Sequence, residues 1–258
     1  CYNLKLQNLG GSTTKLYNPF VGELNNAIQT PPSVYSYTNE YSLVGLLARA
    51  QYDYKEKYFL SASYRRDGSS RFHPDSRWGN FGSIGGAWLI SKENFMSSVN
   101  WIDLLKLKAS YGSVGNDNIG NYYAYLDQFN VSNSNGDYSV SFAYKGNKDI
   151  TWETSYALNA GVEFELFGSK LNGSVEFFHR NTVDQLYNQP VPVSLGYSSI
   201  PMNIGSIVNR GVELELNGTL LKTDRILWTA NFNATHYKNE ITDLADTPKA
   251  AGGIKGTN

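Results

Sequence analysis

The segment 65-RRDGSSRF-72 concentrates the side chains with which this chain could bind a polar ligand. It sets Arg65, Arg66 and Arg71 around Asp67, and guanidinium groups hold carboxylates through charge-assisted hydrogen bonds. One interpretation is therefore that these arginines hold a polar substrate. The other, which the sequence favours, is that they cross-link neighbouring strands. The intervening Gly-Ser-Ser step supplies turn residues in either case.

The remaining reactive side chains do not form a pattern typical of a catalytic or metal site. The histidines are far apart in the sequence and lack the spacing of zinc ligands; they are His73, His179 and His236. No nucleophile, base and orienting residue can be picked out together. We therefore predict no catalytic residues, no metal ligands and no cofactor.

Calcium binding is an alternative interpretation of the acidic residues. The pairs Glu163/Glu165 and Glu213/Glu215 offer carboxylates, and the segment 116-NDN-118 offers further oxygens. However, a spacing of two residues also places glutamates on the solvated side of a strand, and Asn and Asp are ordinary turn residues. Calcium therefore remains an unsupported alternative.

Aromatic residues in two long loops are the other candidates for ligand contact. Flat rings stack on sugar rings and on peptide side chains. The rings could equally touch a partner protein or pack loop against loop, and the sequence does not choose between these. The candidates are Tyr122, Tyr123, Tyr125, Phe129, Tyr187 and Tyr197.

The composition limits the class of protein that carries these residues. The chain has 258 residues, a net charge of -1 and only 17% charged residues, so it lacks the basic surface of a nucleic-acid binder. Its 24 glycines and 19 tyrosines favour β structure. No run of about 18 apolar residues is present, which excludes a transmembrane helix.

A period of two residues predicts long strands. In 41–54 the even positions from Val44 onward are apolar, including Leu46, while the odd positions include Arg49 and Gln51. A second strand begins at Tyr58. Further strands are predicted at about 79–91, 104–113, 155–166, 170–182, 206–220 and 226–237.

Strand length and the clean division of faces indicate a membrane β-barrel. The strands run to about ten residues, which is the length that a tilted strand needs to cross a bilayer. One face of each strand is free of charge through its middle, as a lipid-facing wall around a wet lumen requires. A soluble sandwich remains an alternative, and Phe178, which points to the polar side, is unexplained. The predicted fold is all-β, an antiparallel arc of about eight strands from a larger barrel.

Loop lengths assign the two rims of the predicted barrel. Short turns at 55–57, 167–169 and 222–225 alternate with long loops at 114–152 and 184–205, and barrels keep their short turns on the periplasmic side. The connection 92–103 falls on the periplasmic side with a short helix. Residues 1–40 and 238–258 are then mostly extracellular loop. Arg65 and Asp67 should face the lumen, with Arg66 and Arg71 near the outer rim.

Four segments resemble the barrel of the SusC/RagA family of TonB-linked outer-membrane transporters. They are 45-GLLARAQYDYKEKYFLSASYRRDGSSRF-72, 78-WGNFGSIGGAW-88, 101-WIDLLKLKASYGSVGNDNIGNY-122 and 203-NIGSIVNRGVELELNG-218. The resemblance implies a barrel of about 22 strands around an N-terminal plug. It also implies import of glycan or peptide oligomers across the outer membrane of a Gram-negative bacterium, with a SusD-like surface lipoprotein as an extracellular lid.

Family members are several times longer than this chain. We therefore expect a fragment of the C-terminal half of the barrel, without the plug or the TonB box through which the TonB complex would act. Its expected partners are the rest of the barrel, the plug, the lid lipoprotein, outer-membrane lipid and an oligomeric nutrient. The arginines of 65–72 could then hold the plug as well as a substrate. A passive porin, a surface adhesin and an outer-membrane enzyme remain alternatives.

Overall fold

A computed structural model describes residues 1–12, 20, 33–134 and 137–243. These residues form thirteen strands and three single-turn 3-10 helices, the latter at Ile90–Lys92, Asn94–Met96 and Val193–Leu195. None of the helices in the described part of the chain is long and apolar enough to cross a membrane. The strands are β1 Tyr2–Ser12, β2 Ser33–Tyr54, β3 Tyr58–Ser69, β4 Trp78–Leu89, β5 Ile102–Asn116, β6 Gln128–Ser134, β7 Asp137–Tyr144, β8 Glu153–Leu166, β9 Leu171–Val183, β10 Leu186–Pro190, β11 Ser199–Asn203, β12 Ser206–Lys222 and β13 Leu227–Asp243.

Nine of these strands form one sheet in the order β1-β2-β3-β4-β5-β8-β9-β12-β13, and every neighbouring pair is antiparallel. All eight strands predicted from the period of two are present and adjacent, so that prediction is confirmed. The sheet is open, with β1 and β13 at its edges. An open edge leaves a row of unpaired backbone groups, which is the expected condition of an arc cut from a larger barrel.

The register places the apolar positions of successive strands side by side. Across the sheet, Trp88 pairs with Leu107, Leu107 with Val162, Val162 with Val175 and Val175 with Leu214. Because directly paired residues share a face, these side chains form a continuous apolar surface, which we call the apolar face. Leu107 and Val175 are 39% and 41% exposed, so none of the residues that the structure describes forms a second layer over this surface.

Short turns close one end of the sheet, as predicted. They fall at 55–57, 167–170 and 223–226, and the tightest use residues with positive φ, including Lys55 (55°) and Phe167 (60°). The longer connection after β4 contains two 3-10 turns, in agreement with the predicted short helix. Glu93 fixes it there by accepting hydrogen bonds from the Tyr58 hydroxyl at 2.7 Å and the Trp88 indole at 3.1 Å.

The opposite end of the sheet carries two hairpins that the sequence did not predict. The loop after β5 forms the β6–β7 hairpin, and the loop after β9 forms the β10–β11 hairpin. Beside them lies a small cluster of buried side chains, the loop core, against which Leu43 and Leu186 pack. The members of the loop core are Phe72, Phe81, Ile119, Ala124, Ile150 and Trp152.

The prediction that residues 1–40 are mostly loop is partly wrong. Tyr2–Ser12 is a strand, and it pairs with β2 from Ser33 to Leu43. Polar residues such as Asn39 and Glu40 interrupt the apolar period there, while backbone pairing and an exposed Lys5–Glu40 ion pair of 3.1 Å continue across it. Residues 13–19 and 21–32 lie outside the described residues.

The expected loop 238–258 also begins later than predicted, because β13 continues to Asp243. Residues 244–258 lie outside the described residues.

The structure also explains why Phe178 lies on the polar side of its strand. Its ring lies over Gly211 on the polar side of the sheet, where an added Cβ would come within 2.7 Å of the ring. The missing side chain of Gly211 provides the space that Phe178 fills.

Candidate ligand-binding surface

The face opposite the apolar face carries a network of ion pairs at mid-strand; we call it the polar face. Glu163 accepts from Lys106 at 3.0 Å and from Lys108 at 2.7 Å, and Lys108 also contacts Glu176. These side chains are about one-third exposed. Charge is therefore balanced here, and Glu163 is engaged by two lysines rather than free for acid–base chemistry or ion binding.

At the end of the sheet that carries the two hairpins, which we call the outer end, five side chains join the loop after β5 to strands β2 and β3. We call this group the rim clamp: Tyr41, Ser69, Arg71, Asp117 and Tyr122. The Asp117 carboxylate accepts from the Tyr41 hydroxyl at 2.8 Å, from the Ser69 hydroxyl at 2.6 Å and from Arg71 at 3.4 Å. The Arg71 guanidinium lies 4.6 Å from the Tyr41 ring and 5.3 Å from the Tyr122 ring. Asp117 is thereby committed to local contacts.

The three predicted tyrosines of this loop are half-buried and make local contacts. Tyr122 belongs to the rim clamp. The Tyr123 hydroxyl accepts the backbone N–H of Glu40 at 2.9 Å. The Tyr125 ring meets His73 edge to face at 5.8 Å. Tyr122 and Tyr123 thus contact strand β2, and Tyr125 contacts the loop after β3. All three pack against other segments of this chain, as in the packing interpretation that the sequence left open.

Phe129, Tyr187 and Tyr197 lie on the two outer hairpins. Phe129 packs on Phe142 at a ring-centroid distance of 4.7 Å, and Phe142 meets Tyr197 at 6.0 Å, so the two hairpins share one aromatic contact. Phe129 is 51% exposed and Tyr187 is 43% exposed. These rings are the predicted aromatic candidates most open to a ligand or a partner.

The four charged residues of 65–71 separate into distinct environments. Arg65 and Asp67 lie on the polar face, where the Arg65 Nε donates to Asp67 at 2.7 Å. Arg66 points to the apolar face, with its guanidinium 5.2 Å from the Trp78 ring. Arg71 is held in the rim clamp. Strand cross-linking thus explains Arg71, whereas Arg65 pairs with a residue of its own strand.

Hydrogen bonds between loops hold the outer end in one arrangement. Asn203 and Thr151 exchange two hydrogen bonds of 2.8 Å, which joins the loop after β9 to the start of β8. Asp127 accepts from Lys145 at 2.8 Å and from the Gly146 backbone at 2.9 Å. The Lys145 ammonium, followed by the Gly146 N–H, holds the pKa of Asp127 below its usual range. The Asn203–Thr151 pair therefore joins two loops, whereas the Asp127–Lys145 ion pair closes the base of the β6–β7 hairpin within one loop.

Among the described residues, no three His, Cys, Asp or Glu side chains are grouped closely enough to hold a metal ion. His73 contacts Tyr125 and Asp75, while His179 lies on β9 and His236 lies on β13.

The sequence did not predict the loop core. Phe72 and Trp152 meet at 5.5 Å, yet 80 residues separate them in the chain, and only their aromatic character in otherwise polar segments pointed to burial.

Sequence and structure comparisons agree with this architecture. Residues 2–258 match the family described as TonB dependent receptor-like, beta-barrel. TonB-dependent receptor P39 of Formosa agariphila is 42% identical over 233 residues, which cover 86% of this chain and 22% of the relative. TonB-dependent receptor SusC of Bacteroides thetaiotaomicron is 33% identical over 217 residues, which cover 81% of this chain and 22% of SusC.

The solved RagAB peptide transporter superposes with a TM-score of 0.86 and 30% identity over 94% of this chain and 27% of that chain. The siderophore receptor PirA of Pseudomonas aeruginosa, at 14% identity and a TM-score of 0.56, shares the fold alone. The open sheet is therefore a segment of an outer-membrane β-barrel wall. The chain belongs to the TonB-dependent receptor β-barrel family, and its resemblance to SusC and RagA is confirmed. It spans about a fifth of the length of these curated relatives.

Proposed function

We propose that this chain forms barrel wall and outer loops of a SusC-like importer in the outer membrane of a Gram-negative bacterium. The importer takes up a nutrient oligomer, a glycan or a peptide, using energy delivered through TonB. The observation that carries the proposal is the division of one sheet into an apolar face and a charge-paired polar face, with the two hairpins at one end and mostly short turns at the other. A lipid-facing wall around an aqueous path needs this division.

Growth on a defined nutrient tests the import class. Cells whose single importer is the complete receptor containing this segment would be given a panel of oligosaccharides and peptides, with and without TonB. We expect uptake of at least one nutrient and its loss when TonB is deleted. Undiminished uptake without TonB would instead support a passive porin, and hydrolysis of the nutrient by purified receptor would support an enzyme.

The β6–β7 hairpin is the proposed contact for a SusD-like lid. Phe129 pairs with Phe142 and Val131 with Val140 across the hairpin, so one hairpin face is apolar; these four side chains are 42–66% exposed. A two-stranded hairpin is marginally stable alone in water. A covering surface would bury this apolar side, and a lid protein above the lumen supplies one.

Paired substitutions on the two hairpin faces test the lid contact. Phe129→Ser with Val140→Ser should reduce recovery of the lid protein with the tagged receptor. Asn130→Ala with Ser141→Ala changes the opposite face of the same hairpin and should leave recovery unchanged. Equal recovery with both variants would contradict this contact.

A further inference from the structure

The three arginines of 65-RRDGSSRF-72 differ in what remains free on each guanidinium. Arg66 faces away from the lumen beside Trp78, and Arg71 is enclosed in the rim clamp with its side chain 14% exposed. Arg65 differs from both because its side chain is 53% exposed on the polar face. Within the described part of the chain, only its Nε makes a hydrogen bond, so both terminal amino groups are free to bind a ligand.

Asp67 holds the Arg65 guanidinium in a fixed orientation. Its two oxygens lie 2.7 and 2.6 Å from Nε, and its side chain is only 7% exposed. Gly45, opposite Asp67 on β2, leaves the space for this carboxylate, because an added Cβ would come within 2.5 Å of Oδ1. A charge held in place beforehand binds a ligand without first losing side-chain freedom.

A second guanidinium lies nearby on the polar face. Arg49 is two residues from Leu47, which pairs with Arg65, and Arg49 itself pairs with Ser63. Arg49 is exposed and makes no ion pair or hydrogen bond among the residues that the structure describes. Since the Asp67 and Asp117 carboxylates are engaged by Arg65 and Arg71, this part of the polar face has positive charge without a matching anion.

Arg65 opens into a pocket of about 260 Å³ at the outer end of the polar face. A pocket of this size is smaller than the about 300–1,000 Å³ typical of drug-sized ligands, so it suits a single unit of an oligomer. Hydroxyl and amide groups line it together with the edges of two rings. They belong to Ser63, Ser83, Asn116, Phe81 and Trp152. The Asp67 and Asp117 carboxylates also line the pocket, and each is already paired with an arginine, Asp67 with Arg65 and Asp117 with Arg71.

We infer that Arg65 is an anion-recognition residue for imported cargo, and that the cargo carries carboxylate groups. Arg65 binds one carboxylate through its free terminal amino groups, while the serines and Asn116 bind neutral polar groups of the same unit. Arg49 attracts a second carboxylate further along the oligomer. This inference rests on the proposed import function, since it assigns the chemistry of the cargo.

Binding to the purified complete receptor tests the inference with probes of known charge. The carboxylated probes are hexagalacturonate and an Asp-containing hexapeptide; the neutral partners are maltohexaose and the same peptide with Asn. Wild-type receptor should bind at least one carboxylated probe more tightly than its neutral partner, and which one does so separates a glycan from a peptide source. The difference should shrink near 1 M salt, where the Debye length is about 3 Å.

Arg65→Gln removes the charge from the polar face, and Arg66→Gln removes the same charge from the neighbouring residue on the apolar face. Because a charged hydrogen bond is lost, Arg65→Gln should bind the carboxylated probe about 10- to 100-fold more weakly than wild type. Its affinity for the neutral probe should be unchanged. Arg66→Gln should leave both probes unchanged. The inference is overturned if wild type shows no preference for carboxylate, if both arginine variants behave alike, or if Arg65→Gln weakens both probes equally.

A role in holding the plug gives a different result. Arg65→Gln would then lower the thermal stability of the receptor while binding the carboxylated probe as wild type does, and the inference would fail. The proposed import function is tested separately, by uptake in cells without TonB. Uptake that persists without TonB would contradict TonB-driven import, while selective loss of binding to the carboxylated probe in Arg65→Gln would still support the anion site.

Discussion

The Trp88 indole and the Glu93 carboxylate meet at 3.1 Å at the end of the sheet that carries the short turns. Glu93 also accepts from the Tyr58 hydroxyl and from Lys57 at 3.0 Å. These donors, with Tyr58 the largest contribution, lower the pKa of Glu93 from 4.5 to about 2. One carboxylate thereby fixes the connection after β4 to a pair of stacked rings, Tyr58 and Trp88.

Acid should release this connection through Glu93. Because the pKa is lowered in the folded state, the stabilising effect is present above pH 4.5 and is lost as pH falls from about 4.5 to about 2. Glu93→Gln should therefore show a smaller loss of stability over that range than wild type, as measured by the temperature at which detergent-solubilised receptor unfolds. Parallel pH curves for the two proteins would contradict the assignment.

A charge in the middle of the apolar face should damage assembly. Leu107 lies mid-strand in β5, whereas Val208 lies on the apolar face near the outer end of β12. Leu107→Arg should cost about 2–4 kcal/mol, and Val208→Arg about 0–1 kcal/mol, because the penalty falls towards the interface. Folding titrations into lipid vesicles would compare them. Equal penalties would show that this face does not meet a lipid interior.

Loss of the Asp117 carboxylate should loosen the rim clamp. Asp117→Asn leaves the Arg71 guanidinium largely buried without its charge partner, and a lost hydrogen bond to a charged group costs about 1.5–3 kcal/mol. Backbone amides of residues 117–126 should exchange hydrogen faster by a corresponding factor. Asp149→Asn, at an exposed aspartate, serves as the control and should leave this exchange unchanged. Unchanged protection in Asp117→Asn would mean that the clamp does not order the loop.

The strands could be predicted because one physical cause repeats along each of them. Alternation between lipid and water imposes a period of two on the eight predicted strands of the main sheet, as Leu105, Leu107 and Ala109 illustrate within β5. The short turns could be predicted because only a few residues separate one alternating segment from the next. The start of β2 was missed because beyond the apolar band the strand is held by backbone pairing with β1 and by a few polar contacts, neither of which imposes a period of two on the side chains.

The outer surface could not be predicted to the same extent because its contacts join distant segments. Tyr122 lies in a long loop, as predicted, but its position beside Arg71 and Tyr41 depends on how three segments meet. Arg65 and Arg71 are the same residue type six positions apart, yet one is open and the other enclosed. Their difference is set by Asp67 and Asp117, whose positions only the folded loops fix.

Labelling of intact cells tests the membrane arrangement most directly. An epitope tag would be inserted at Gly196, in the loop between β10 and β11, and separately at Ser169, in the short turn between β8 and β9. We expect antibody to reach the Gly196 tag on intact cells and the Ser169 tag only after the outer membrane is permeabilised. Labelling of both tags on intact cells, or of the Ser169 tag alone, would contradict a sheet that spans the outer membrane with its folded loops outside.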